Sequence, residues 1–587
     1  MTEVFGGYNH NPRIPDSDFY DTANTSARDY PLIAQRVKRA LAVSPVSYQG
    51  MIARDALCYV DGSTLYVNAM PVTGLVLSVA TGYQPKRLYS MGAYIIILPD
   101  KKWVNTADLT EFGSIEQVNT IVEGTITYTP SRGDGSDLSP APTQSATAPE
   151  APDDGAYWID ISGYPTIALK RYSALSETWT TIPTTYTRIS ATGIGTGLAQ
   201  YDGVKIAGAV TDSTDEDAIA ELAALNGYNF IRYVGADYIV ISGALGWTHT
   251  QTATAEAPLT ISRTMPDMDF ITESENRLWG CKYGVVDNEP INEIYACRLG
   301  DFKNWRSYAG NSMDSYAASV GTDGKFTGAI THLGTPLFFK ENCLHRIYGN
   351  QPANYQIETT TLRGVQDGSS KSLVIVNEIL YYKARSEIMA YDGSLPVSIS
   401  AALGTGLYSA AVAGAVKDVM YISMKNSSST WELFTLDTTK RIWHKEDTLE
   451  VKDFVTVKDE LYASTPVAGV TKIYTMLGSV GTLEASAVSW ALESGVMGYE
   501  SPNRKYVGRM NIRLKLAAGT TFTAYIQYDS SGTWVSLGTT TGGVIVTTIN
   551  FPIIPRRCDH FQIKLSGTGD MRVYSIAKIM EDGGDGR

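Results

Sequence analysis

The sequence predicts an all-β chain, and three observations carry that expectation. Short apolar runs recur in pairs broken by turns: Arg277-Leu278-Trp279-Gly280 with Glu293-Ile294-Tyr295-Ala296, and Ile379-Leu380-Tyr381-Tyr382 with Glu387-Ile388-Met389-Ala390-Tyr391. The 36 tyrosines, set among many Thr, Val, Ile and Gly, favour strands and turns over helices. The third observation is a period: Tyr381, Tyr421 and Tyr462 are 40 and then 41 residues apart. Self-similarity near that period, in strand-length units without helices between them, is the sequence mark of propeller blades. A small sheet alone cannot bury both of its faces, so such units stack on their neighbours. The predicted class is therefore a β-propeller with inserted small β domains and a C-terminal antiparallel β-sandwich. The competing reading of the same pattern is a meandering β-sandwich.

Taken in order, residues 1–50 read as an extended N-terminal arm that caps a blade or a neighbouring subunit. Pro31 suits the first turn of a short helix or an extended run, and the extended run is the expectation. The basic trio Arg36, Lys38 and Arg39 reads as a solvated face. Residues 51–116 are the first part of the propeller, with Asp61-Gly62 as a hairpin signal between Leu57-Cys58-Tyr59-Val60 and Leu65-Tyr66-Val67. Residues 117–186 are a polar linker followed by a small β meander. The linker holds Arg132-Gly133-Asp134, a chance match to an adhesion motif. Residues 187–265 are an inserted small β-barrel-like domain with one short helix from Thr214 to Leu225. Asp212, Asp215 and Asp217 read as its acidic start rather than a calcium loop, because no closing glutamate follows at the required spacing. Residues 266–478 are the main part of the propeller. Residues 479–587 alternate as a β-sandwich does and end in a polar, fraying tail.

Composition narrows the function classes. The net charge of −13 argues against a surface that grips nucleic acid. No apolar run approaches the length of a membrane span, and Met1-Thr2-Glu3-Val4-Phe5-Gly6 lacks the pattern of a secretory leader. The five cysteines, Cys58, Cys281, Cys297, Cys343 and Cys558, are scattered and odd in number, which suits buried free thiols in a reducing compartment. Six histidines, His10, His249, His332, His345, His444 and His560, show no metal-ligand spacing. No nucleophile elbow, phosphate-binding loop or zinc-protease signature occurs. The expectation is therefore no catalytic, cofactor-binding or metal residues, no cofactor, and no enzyme activity. A carboxylate pair acting on sugars stays open, since it needs no local signature.

Several segments resemble the propeller segments of phage tail proteins. They are Asn276-Arg277-Leu278-Trp279-Gly280, Asn292-Glu293-Ile294-Tyr295-Ala296-Cys297, Gly300-Asp301-Phe302-Lys303-Asn304-Trp305, Leu344-His345-Arg346-Ile347-Tyr348-Gly349 and Ala390-Tyr391-Asp392-Gly393. In addition, Tyr201-Asp202-Gly203-Val204-Lys205-Ile206-Ala207-Gly208 is similar to small β-barrel modules of such proteins. The best-understood similar architecture is the tail nozzle of short-tailed phages. That resemblance implies a structural virion component made in the host cytoplasm, assembled as a homohexameric ring at the distal DNA exit channel. Its implied partners are adaptor or portal-side proteins and tail fibres or spikes, with DNA passing through unbound; the net charge of −13 adds the expectation of a lumen lined mainly by Asp, Glu, Ser, Thr and Asn. The alternatives are a tail-tip or baseplate scaffold of a long-tailed phage, and a glycan-binding adhesin.

Overall fold

A computed structural model describes residues 1–79, 85–164, 166–500, 503–543 and 545–582. The chain is all-β, and its one α-helix among the described residues is Glu216–Ala223. It divides into two compact units. The first holds Met1–Leu88, Phe326–Arg346 and Thr359–Arg587, and the second holds Tyr89–Lys325 and Ile347–Glu358. Residues 583–587, where the fraying tail is expected, lie outside the described residues.

The blade-type repeat is plain in the sheets. In the first unit, Tyr48–Ala53, Leu57–Asp61, Thr64–Val67 and Met70–Pro71 form one antiparallel sheet in sequence order. Val374–Val376, Ile379–Lys383, Ile388–Tyr391 and Val397–Ser398 form another, and Tyr408–Val416, Val419–Asn426, Trp431–Asp437 and Ile442–Asp447 a third. In the second unit, Phe270–Ser274, Arg277–Val286, Glu289–Ala296 and Tyr316–Ser319 repeat the order. Sheets over residues 87–114 and 328–361 do the same. The period has a physical cause. Tyr59, Tyr381, Tyr421 and Tyr462 are each the third residue of the second strand, only 7–8% exposed. The equivalent places elsewhere hold the buried Trp279, Leu337 and Ile96. One side-chain position in each repeat faces inter-sheet packing, and a large ring fills it.

The last repeat is completed from the far end of the chain. Asp453–Val457, Glu460–Val467 and Val470–Thr475 take Ala40–Val43 as their next strand, with Tyr474 opposite Leu41 and Thr475 opposite Ala40. An edge left bare there would expose unpaired amides and carbonyls. The anchoring residues correct one expectation: Arg36 and Arg39 of the basic trio are not a solvated face. They are 7% and 4% exposed and are held by Glu484, Glu446 and Asp447.

The rest of the arm runs extended, as Ile33–Gln35 shows, and joins the C-terminal sandwich. One sheet orders Gly7–Tyr8, Asp18–Ala23, Ser489–Ser494, Phe561–Thr568, Thr521–Tyr528 and Val535–Thr541. The other contains Thr25–Ser26, Ile33–Gln35, Met571–Asp582, Lys505–Leu516 and Val546–Pro552. Their facing alternate residues build one core, in which Phe5, Phe19 and Ile33 of the arm pack with Leu514, Phe522 and Phe561.

In the second unit an eight-stranded sheet draws on both sides of the meander. Gln117–Ile121 and Thr125–Ser131 join Tyr186–Ser190, Gly203–Ala207, Gly227–Gly235, Tyr238–Ser242, His249–Thr252 and Leu259–Arg263. The barrel-like domain thus begins at about residue 117, and the meander is inserted within it. The meander itself adds a parallel strand, Thr143–Ser145, to the three expected ones. The helix starts where Asp215 accepts hydrogen bonds from the amides of Asp217 and Ala218, so the acidic run is an N-cap. Asp212 instead accepts from the amide and hydroxyl of Thr252.

Candidate functional site: a cleft between two adjacent sheets of one unit

The histidines and cysteines do not converge. His10 stacks on Tyr20, His249 meets Glu221 at 2.8 Å, His332 meets the Glu378 carbonyl, and His560 lies between Asp559 and Ser530. His444 contacts the Thr25 hydroxyl at 3.0 Å, and His345 the Thr359 hydroxyl at 2.9 Å. Burial holds both of these imidazoles down at about 4, so each is neutral at physiological pH. All five cysteines are buried and free. Cys343 sits 3.9 Å from His345, the two on alternate residues of one strand. No group of three or more metal-ligating side chains occurs among the described residues. Asp134 of the Arg-Gly-Asp match turns back onto Ser136, accepting from its amide and hydroxyl.

A concavity of ≈ 1350 Å³, open to solvent, lies in the first unit between the sheet 374–398 and the sheet 408–447. Strand alternation builds its floor. Leu380 and Tyr382 point toward Phe339 and Leu344, while Ile379 and Tyr381 point the other way, toward Leu436 and Trp443. The Trp443 indole N–H donates to the Ile399 carbonyl at 3.1 Å, which fixes the ring against the floor. Behind it, the arm holds the short turn Ala401–Leu403: the amide of His10 donates to the Ala402 carbonyl, and the Asn11 side chain donates to the Ala401 carbonyl.

The rim is polar and carries both signs. Arg441 ends the hairpin between Trp431–Asp437 and Ile442–Asp447 with left-handed backbone, φ 58°. That hairpin is pinned by Asp437, which accepts from the Lys440 ammonium and amide and from the Thr439 hydroxyl. Arg441 is exposed and makes no hydrogen bond or ion pair among the described residues; its charge opposes the upward push of burial on the Tyr381 hydroxyl. Asp392 uses Oδ1 to accept from the amide and hydroxyl of Ser394, which hold its carboxyl below the usual range. Its other oxygen is without a partner among the described residues. Asp392 and Arg441 line the same cleft without pairing to each other. Leu395 and Val397, 63% and 65% exposed, form an apolar lip. None of these residues was singled out for a function in the sequence. The only signal available was Ala390-Tyr391-Asp392-Gly393, which marks a turn.

No family model matches this sequence, and no curated relative does. Among solved structures the chain is similar to a glycoside hydrolase at 10% identity, over 52% of this chain and 96% of that one, with a TM-score of 0.21. It is also similar to an engineered GH43 glycoside hydrolase with endo-xylanase and exo-arabinofuranosidase activity (9% identity, 54% and 98% coverage, TM-score 0.20). A Trypanosoma rangeli sialidase in complex with the inhibitor DANA follows (8% identity, 69% and 93% coverage, TM-score 0.24). The expectation of no enzyme activity is set aside: glycosidases are among these neighbours, and at TM-scores of 0.20–0.24 they establish no activity for this chain. No residue role passes from them to this chain. No helix among the described residues is long and apolar enough to cross a membrane.

Proposed function

We propose that the chain is a structural component of a bacteriophage tail, the nozzle that forms the distal DNA exit channel and carries other tail proteins. The observation that carries this reading is where the tail-like segments fall. Asn276–Gly280, Asn292–Cys297, Leu344–Gly349 and Ala390–Gly393 lie on the middle strands of four-stranded sheets or on the turns that leave them. They are framework residues of the repeat. The net charge of −13 suits a conduit that must let DNA slide, since each neutralised phosphate adds affinity and would stall transit.

The reading is tested by mass spectrometry of tailed particles purified from cells that carry the gene for this chain. The chain is expected as a stoichiometric virion protein in a copy number that is a multiple of six, following ring symmetry. Its absence from every particle overturns the reading.

A further inference from the structure

We propose that Ser530, His560 and Asp559 form a hydrolytic site that cleaves small acyl esters. This inference stands apart from the tail reading and rests on the C-terminal sandwich alone.

His560 joins the other two residues through its two ring nitrogens. Nε2 meets the Ser530 hydroxyl at 2.8 Å, and Nδ1 meets Asp559 Oδ2 at 3.0 Å. A carboxylate only accepts, so Nδ1 carries the proton and Nε2 is left to take the one on Ser530. The bond from His560 in turn holds the Asp559 carboxyl below the usual range, in its ionised form. Nucleophile, base and orienting acid thus stand in the order that acyl transfer requires, an order recognised by geometry and not by position in the chain.

The surrounding backbone holds this arrangement in place. Asp529 and Ser530 both have left-handed backbone, φ 52° and 49°, in a turn closed by the Ser531 amide on the Tyr528 carbonyl at 3.1 Å. Neither is glycine, the residue that adopts this conformation freely, so the turn is strained where it presents the Ser530 hydroxyl to His560. Asp529 clamps the facing segment. Its Oδ1 accepts from the amides of Asp559 and His560 at 2.7 and 3.3 Å, and its own amide donates to the His560 carbonyl at 3.0 Å. The Lys505 ammonium donates to the Asp559 carbonyl at 2.6 Å, and the Tyr499 ring centre lies 5.4 Å from that of the imidazole.

The reaction balances within these groups. Ser530 Oγ attacks the ester carbonyl carbon as its proton passes to His560 Nε2. The imidazolium returns that proton to the departing alkoxide, which leaves as an alcohol, and the acyl group stays on Oγ. Water then attacks the acyl carbon and gives its proton to Nε2; the carboxylic acid leaves, and Oγ regains the proton. The Ser530 amide has no hydrogen-bond partner among the described residues, and it is the donor nearest the oxyanion formed on its own side chain. A single such donor suits an ester, whose alkoxide departs readily, better than an amide. Ser530 is exposed on its turn, so the ester it reaches is one that projects from its carrier, with a short acyl group that needs no apolar pocket.

The test uses the full chain with p-nitrophenyl acetate, read by release of p-nitrophenolate, and a fluorophosphonate probe whose adduct is placed by peptide mass spectrometry. Saturable hydrolysis above the buffer rate and an adduct on Ser530 are expected. Ser530→Gly, which keeps the left-handed turn, is expected to lower kcat/KM by about a hundredfold or more, as is His560→Gln. Asp559 positions the imidazole, and Asp559→Asn is expected to lower kcat with little change in KM. All three residues lie at the surface of the sandwich, so the variants are expected to melt with the parent, and the melt is recorded alongside. A rate no faster than buffer, or no adduct on Ser530, overturns the proposal. Hydrolysis that survives Ser530→Gly overturns the site.

Discussion

Arg39 and Glu446 meet at 2.7 Å inside the protein, with their side chains only 5% and 4% exposed. The second guanidinium nitrogen of Arg39 reaches Asp447 at 2.7 Å. Arg39 belongs to the arm, and the two acids end the strand Ile442–Asp447, so one cation pins chain segments some four hundred residues apart. Burial pushes the Glu446 carboxyl upward, and Arg39 opposes that push.

Removing Arg39 is therefore expected to cost more than its hydrogen bonds alone. Arg39→Ala leaves Glu446 buried without its partner, and a loss of ~3–5 kcal/mol in unfolding free energy is expected from denaturant titration. Arg39→Met with Glu446→Leu, which removes both charges together, is expected to recover most of that loss. A single variant as stable as the parent contradicts the arm's anchoring role.

Acid is expected to weaken the first unit through two histidines. His345 and His444 titrate at about 4 in the fold and near 6.5 when unfolded, because burial disfavours their charged forms. Between those values the unfolded chain binds more protons, so stability rises with pH across the window. It is complete above about 6.5 and is lost as pH falls toward 4, by on the order of 3 kcal/mol per histidine. Urea unfolding at about pH 7.5 and about pH 4.5 measures this, and His444→Gln is expected to flatten the slope. Lys383, held down at about 8 by burial, gives a second rise between about 8 and 10.5, by the same sign.

Within the second unit, Asn304 couples the barrel to the loop before Tyr316–Ser319. Its amide donates to the Tyr201 carbonyl at 2.7 Å, and its carbonyl accepts from the Gly203 amide at 3.0 Å. A side chain on Gly203 would run into the Arg306 carbonyl at 2.0 Å, so the approach is close. Asn304→Ala is expected to cost ~1–3 kcal/mol and to speed amide exchange at residues 199–204, with little change in the sheet 270–319. Unchanged exchange there contradicts the coupling.

What was legible in the sequence was local. The strand pairs and the tyrosine period record one packing position repeated within forty residues, and Asp215 records a cap within three. What was not legible depends on distant chain. Nothing in Arg36-Val37-Lys38-Arg39 distinguishes a solvated basic run from one that meets Glu446 and Glu484 after folding. The start of the barrel is not legible because Gln117–Ile121 finds its partner, Leu259–Arg263, some one hundred and forty residues later. The cleft was invisible for a similar reason: Tyr381, Asp392 and Arg441 come from two successive repeats, and each alone reads as a blade strand or a turn.

Assembly and charge make a further expectation. The recombinant chain is expected to form a hexameric ring by native mass measurement, and to show no binding of duplex DNA at physiological salt. Salt-sensitive duplex binding, or a basic lumen in the assembled ring, contradicts a passive conduit.

The central claim is the position in the virion, and imaging tests it most directly. Tailed particles from cells that carry the gene for this chain are to be labelled with an antibody raised against the purified chain and viewed by negative stain. Label confined to the distal end of the tail is the expected result. Unlabelled tails, or label on the capsid, contradict the account.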